Sequence, residues 1–139
     1  MLVRFLKRPS LIVFILLSYG MSPSYAQDCS KLNTQTDMNI CAGKKAATAD
    51  ARLNKIYNDI IARLKGDEDT KKLLVKAQRS WMQFRDDSCI FSSSGVKGGS
   101  IYATIYSSCI ETLTENRIKD LDAYANCREG DLSCPVPAK

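Results

Sequence analysis

The chain has 139 residues, a quarter of them charged, with six cysteines and no histidine, and a formal net charge of +5. That length makes one domain, and without histidine the chain lacks the commonest general base and a usual partner of cysteine in zinc sites. Arg4, Lys7 and Arg8 account for three of the twenty basic residues; without them the balance is 17 − 15 = +2, too slight for a nucleic-acid surface.

That basic start, the apolar run 11–17 and the small residues Ser24 and Ala26 predict a secretory signal over 1–26, cleaved after Ala26. The run is far shorter than the roughly twenty residues that span a bilayer, so no stable membrane insertion is expected after cleavage. Asp28 directly before Cys29 does not suit a lipoprotein cleavage site. The remaining chain divides into a helical domain over 27–126 and an irregular tail over 127–139, expected in the periplasm or outside the cell.

Helical spacing dominates the domain. A T-x-x-D pattern at Thr34 and Asp37 caps a first helix. Its apolar positions Met38, Ala42, Ala46, Ala49, Leu53, Ile56, Ile60 and Leu64 recur every three or four residues, and Gly66 ends it. Gly43 inside it weakens the helix unless a neighbour packs closely there. Asp67 or Asp69 caps a second helix with a seam of Leu74, Ala77, Trp81, Phe84, Ser88 and Phe91. The Ser- and Gly-rich stretch 92–99 is a loop. Ser100 is placed to cap a third helix carrying Tyr102, Ile105, Cys109, Leu113, Leu121 and Tyr124, with Arg117 interrupting the stripe. No strand is predicted. The expected fold is all-α, an up-down-up three-helix bundle.

Cys29, Cys41, Cys89, Cys109, Cys127 and Cys134 all come after the signal, and an even number in a short exported chain argues for disulfides. Zinc would want C-x-x-C pairs or histidines, so neither metal nor cofactor is expected. At about 1.5 Å per residue, Cys29, Cys41, Cys89 and Cys109 gather at one end of the bundle. Three pairings are open, and depth favours Cys41 with Cys89 or Cys109, leaving Cys29 the other. Cys127 and Cys134 most simply close the tail on itself. The same ruler puts Asp50 and Arg117 at one depth, a structural ion pair that supplies the acceptor an arginine on an apolar stripe needs.

Few residues suggest chemistry. Trp81 and Arg85 share a helical face, which reads as a core tryptophan with an arginine reaching past it to water. Asp86 and Asp87 are adjacent and diverge, so they make no acid–base pair. The serines of 92–94 lack a base, and the cysteines lack an oxidoreductase spacing. Catalysis is therefore not expected. The polar loop suits recognition better, with Ser94, Lys97, Gly98, Gly99 and Ser100 as the candidate contacts.

The ordered motifs resemble a known family. Residues 34–42 (TQTDMNICA), Ala49-Asp50 and 53–57 (LNKIY) are similar to its N-terminal signature. Residues 77–81 (AQRSW) with Phe84, Arg85, Asp86 and Cys89 are similar to the central one; Gly98-Gly99-Ser100-Ile101, Cys109, Leu113-Thr114, Arg117 and Leu121 are similar to the last. Over Cys29 to Tyr124 the chain resembles the LprI-type lysozyme inhibitor N-terminal domain family. Cys127 and Cys134 lie beyond the shared pattern, and the name-giving type resembles a lipoprotein where this chain does not. The resemblance implies a helical envelope protein with lysozyme inhibition as its named activity, so a lysozyme is the expected partner. The polar, glycine-rich loop over 92–100 is then expected to enter the acidic substrate cleft, with Lys97 facing a catalytic carboxylate while Ser100 and the glycine amides donate hydrogen bonds. The alternative is an accessory module that binds another protein or a cell-wall component without inhibiting lysozyme.

Overall fold

The computed structural model describes residues 28–128 and 130–137, so the predicted signal over 1–26 lies outside the described residues. A short 3-10 turn, Cys29–Lys31, leads into α1 (Gln35–Arg63), α2 (Glu68–Ser93) and α3 (Tyr102–Ala125), and no strand occurs among the described residues. The architecture is all-α, with α2 running against α1 and α3. Contacts between Gln35 and Thr104, Arg52 and Glu115, and Arg63 and the Ala125 carbonyl run in one order along α1 and α3, so these two are parallel.

Local chemistry sets the helix ends. Thr34 Oγ1 accepts from the Asp37 amide at 3.1 Å and donates to the Asp37 carboxylate at 2.7 Å. This satisfies one orphan amide of the first turn and orders the cap. Gly66 takes the left-handed conformation, φ 102°, that turns the chain after α1. Asp67, rather than Asp69, caps α2 by accepting from the Thr70 amide. Ser100 does not cap α3. Ile101 holds the cap position without a side-chain bond, and the Ser100 carbonyl instead accepts from Asn39 Nδ2 at 3.0 Å.

α1 buries its predicted face: Ala42, Ala46, Ala49, Leu53, Ile60 and Leu64 are all below 9% exposed. Three alanines let a neighbour come near, and α3 is the helix that does, making α1 and α3 the closest pair. Gly43 plays no part in this, since a Cβ there would meet nothing within 4 Å.

α2 and α3 keep part of their predicted seams, with Leu121 fully buried and Leu74, Trp81, Cys109 and Leu113 packed against the core, but the centre of each buried face is turned from the one predicted. α2 buries Gln78, Arg85, Cys89 and Ser93, while Phe84 and Phe91 are 60% and 80% exposed. α3 buries Ile110, Thr114, Ile118, Leu121 and Ala125, while Ile105 and Tyr124 stand out. Nearly every correction moves one residue along, about 100° around the helix. Counting apolar residues fails here because polar groups enter the interior as partnered sets. Arg85, Asp50 and Thr114 form a polar layer between two apolar clusters, one around Ala46, Cys89 and Ile110, the other around Leu53, Ile60, Leu64, Ile118 and Leu121.

The disulfides join Cys29 to Cys41, Cys89 to Cys109 and Cys127 to Cys134. The bridge expected from Cys41 to Cys89 or Cys109 does not form. Depth along the axis says nothing about direction around it, and Cys29 lies on the turn that packs against its own helix. The tail returns to the bundle: Val136 is 4% exposed within the lower cluster, and Arg63 donates to the Ala125 and Pro137 carbonyls.

Candidate functional site

The 94–100 loop is built as a rigid tip. Ser92 and Ser93 hydroxyls donate back to the Cys89 carbonyl and end α2. A 3-10 turn, Ser94–Val96, comes next, and the Gly99 amide donates to the Val96 carbonyl at 3.0 Å. Gly98 is left-handed, φ 82°, and a Cβ on Gly99 would stand 3.2 Å from that same carbonyl, so both positions suit glycine. The Cys89–Cys109 bridge clamps the loop's base. Its exit is tied to α1 by Asn39, which donates to the Ser100 carbonyl and accepts from Thr104 Oγ1 at 2.6 Å.

Ser94, Lys97, Gly98, Gly99 and Ser100 are all exposed at this tip. Lys97 has no ion partner among the described residues. The Gly99 amide is already engaged within the loop, which corrects the expectation that both glycine amides face a partner. The Gly98 amide and the Ser100 hydroxyl remain. Two apolar side chains flank the loop, Phe91 at 80% exposure and Ile101 at 41%.

A second cluster surrounds Trp81. Arg85 is 9% exposed, not reaching past the tryptophan to water as expected. Its Nη1 donates to Asp50 at 2.7 Å and Thr114 at 3.3 Å, and its Nε to Asp86 at 2.9 Å. The predicted Asp50–Arg117 pair does not form. Asp50 faces α2, whereas Arg117 donates through Nε to Gln78 Oε1 at 3.1 Å and pairs with Asp120 at 3.8 Å. Both guanidiniums stand over the Trp81 ring, 5.2 Å and 5.8 Å from its centroid. Asp87 accepts from Gln83, so Asp86 and Asp87 serve different partners. Burial, and then the Asp86 carboxylate, push the nearby Tyr106 hydroxyl above its ordinary pKa.

Among the described residues no three acidic or cysteine side chains converge to hold a metal ion. Nor is any described helix long and apolar enough to cross a membrane. Gln78 joins this cluster without having stood out in the sequence. Its signal was present, because Gln78, Trp81 and Arg85 are spaced three and four apart and share a face.

Comparison with known proteins adds a family. The model of the family described as lysozyme inhibitor LprI matches residues 26–121. Uncharacterized protein R02472 of Rhizobium meliloti (strain 1021) is 36% identical over 115 residues, covering 72% of this chain and 83% of the relative. Uncharacterized protein YecT of Escherichia coli (strain K12) is 30% identical over 124 residues, covering 76% of each. No solved structure matches the chain.

Proposed function

This chain belongs to the lysozyme inhibitor LprI family, and on that premise we propose that it is an exported, non-catalytic protein that inhibits a lysozyme through its 94–100 loop. The observation that carries this reading is Lys97, an exposed cation without an ion partner among the described residues, held on a loop clamped by a disulfide at one end and by Asn39 at the other. A lysozyme cleft presents two carboxylates to such a cation. A preordered loop loses little entropy on binding. The Gly98 amide and Ser100 hydroxyl add donors, and Phe91 and Ile101 add apolar contact at the rim. A net charge near +2 provides no long-range steering toward basic lysozymes, so the affinity rests on this short-range fit. Export to the periplasm or beyond rests on the signal read over 1–26.

The test is titration of the purified protein into c-type, g-type and i-type lysozymes acting on cell-wall substrate. Dose-dependent loss of lysis with at least one type, relieved by Lys97→Ala together with Ser100→Ala, supports the reading. Inhibition unchanged by the double substitution removes the loop from the mechanism. No inhibition of any type favours the accessory-module alternative.

A further inference from the structure

α1 engages α3 so closely that α2 leaves an open groove of about 320 Å³ along the other side of α1. We infer that this groove is a second binding site, taking the carboxylate side chain of an acidic peptide segment. The inference stands apart from lysozyme inhibition and from the 94–100 loop.

The floor of the groove carries hydrogen-bond donors that have no protein acceptor among the described residues. Gln78 is 6% exposed, and its Oε1 accepts from Arg117 Nε. Because Arg117 can only donate, this contact fixes which end of the amide faces it and leaves Gln78 Nε2 at the other end. Nε2 has no partner among the described residues. It is not sealed away either, since Arg63 Nε is the unpartnered side-chain atom buried from solvent among the described residues. Arg85, also on the floor, uses Nε and Nη1 internally and keeps Nη2. At the rim stand Asn54, Tyr57 and Arg79, none with a side-chain hydrogen bond or ion pair among the described residues. The one carboxylate in the lining, Asp50, already accepts from Arg85.

This chemistry selects among ligands. A neutral sugar could use the acceptors of Asn54, Tyr57 and Asp50, but it brings no charge to Arg79, which has no ion partner among the described residues. A phosphate polymer would place its charged backbone against Leu53, Val75 and Met82, which complete the walls. A carboxylate on a short apolar arm satisfies both, with its oxygens on Gln78 and the arginines and its methylenes on the walls. Arg79 also borders an adjoining depression along α2 with Lys71, Lys72 and Lys76, in which the one carboxylate, Glu68, is paired with Lys71. Lys72 holds only an exposed pair with Asp69, of little strength, and Lys76 holds none among the described residues. These cations are placed to receive acidic residues flanking the one in the groove.

The experiment uses the mature protein, labelled with nitrogen-15, and two blocked peptides of equal length. One carries three glutamates among alanine and leucine; the other carries glutamine at those positions. The acidic peptide is expected to bind saturably, shifting the Gln78 side-chain amide and quenching Trp81. The glutamine peptide should bind at least about tenfold more weakly, the scale of losing charge-assisted hydrogen bonds. Arg79→Ala, at an exposed position without a partner among the described residues, should weaken the acidic peptide several-fold with an unchanged melting temperature, which keeps the test independent of folding. Equal binding of both peptides, no loss with Arg79→Ala, or shifts confined to residues outside the groove would each overturn the site. Preferential binding of a chitin oligosaccharide or polyphosphate, added as competitors, would do the same.

Discussion

Arg85 Nη1 lies 2.7 Å from Asp50 Oδ1, and this ion pair ties α2 to α1 at the level where the apolar core divides in two. The two partners are unequally placed, with side-chain exposures of 11% for Arg85 and 42% for Asp50. Desolvation therefore falls mainly on the arginine, which needs Asp86 and Thr114 as further acceptors.

Arg85→Ala leaves Asp50 and Thr114 without their shared donor and uncovers the Trp81 ring. It should destabilise the protein by about 2–4 kcal/mol. Asp50→Ala should cost less, about 1–2 kcal/mol, because Asp86 still accepts from Arg85. Urea unfolding followed by the fluorescence of the single tryptophan gives both numbers. A cost for Asp50→Ala equal to or above that of Arg85→Ala would contradict this placement of the burden.

Removal of the disulfides should rank by the loop each closes. Cys89–Cys109 spans 20 residues, Cys29–Cys41 spans 12 and Cys127–Cys134 spans 7. Chain entropy alone gives about 3.3, 2.8 and 2.4 kcal/mol in that order. Cys89 is also 0% exposed, so its replacement adds a packing loss. Paired Cys→Ser substitutions and thermal melting test the order, and hydrogen exchange at 94–100 should rise for the Cys89–Cys109 pair alone.

Trp81 is half-buried against the lower cluster, with Arg85 and Arg117 over its ring. Trp81→Phe keeps an aromatic face and should cost about 1–2 kcal/mol, whereas Trp81→Ala should cost about 3–5 kcal/mol. Arg117→Met should shift the tryptophan emission with only a small loss of stability, since its contacts are Gln78 and a distant Asp120. An unchanged emission spectrum would show that the guanidinium does not reside over the ring in solution.

Tyr106 provides a pH test. Burial first, and then Asp86, raise its pKa above the ordinary 10.0. The fold therefore favours the neutral phenol. Its contribution is fully present below pH 10 and is lost as pH rises through the higher folded value. Ultraviolet titration of the folded protein should show Tyr106 ionising late, and Tyr106→Phe should flatten the decline of stability in that alkaline range.

Of the candidate sites, the loop was visible in sequence because Ser and Gly interrupt a helical period. The groove was not. Gln78, Trp81 and Arg85 share a face that can be read from their spacing, but whether that face meets apolar side chains, a carboxylate or solvent depends on α1 and α3. Phe84 and Phe91 illustrate the cost of counting apolar residues alone, since both point outward while Gln78 and Arg85 lie inside.

What the sequence determined by itself is what neighbours along the chain decide: the reciprocal Thr34–Asp37 cap, the glycine turn at Gly66, three helices and the alanine face of α1. The Cys127–Cys134 bridge also follows from sequence closeness, whereas the tertiary structure decided how Cys29, Cys41, Cys89 and Cys109 pair, how far α2 and α3 turn about their axes, and that Arg85 rather than Arg117 takes Asp50. The reason is geometric and electrostatic together. Helical rise fixes height along a bundle but not direction around it, and a polar side chain enters the interior only when a partner on another helix is there to meet it.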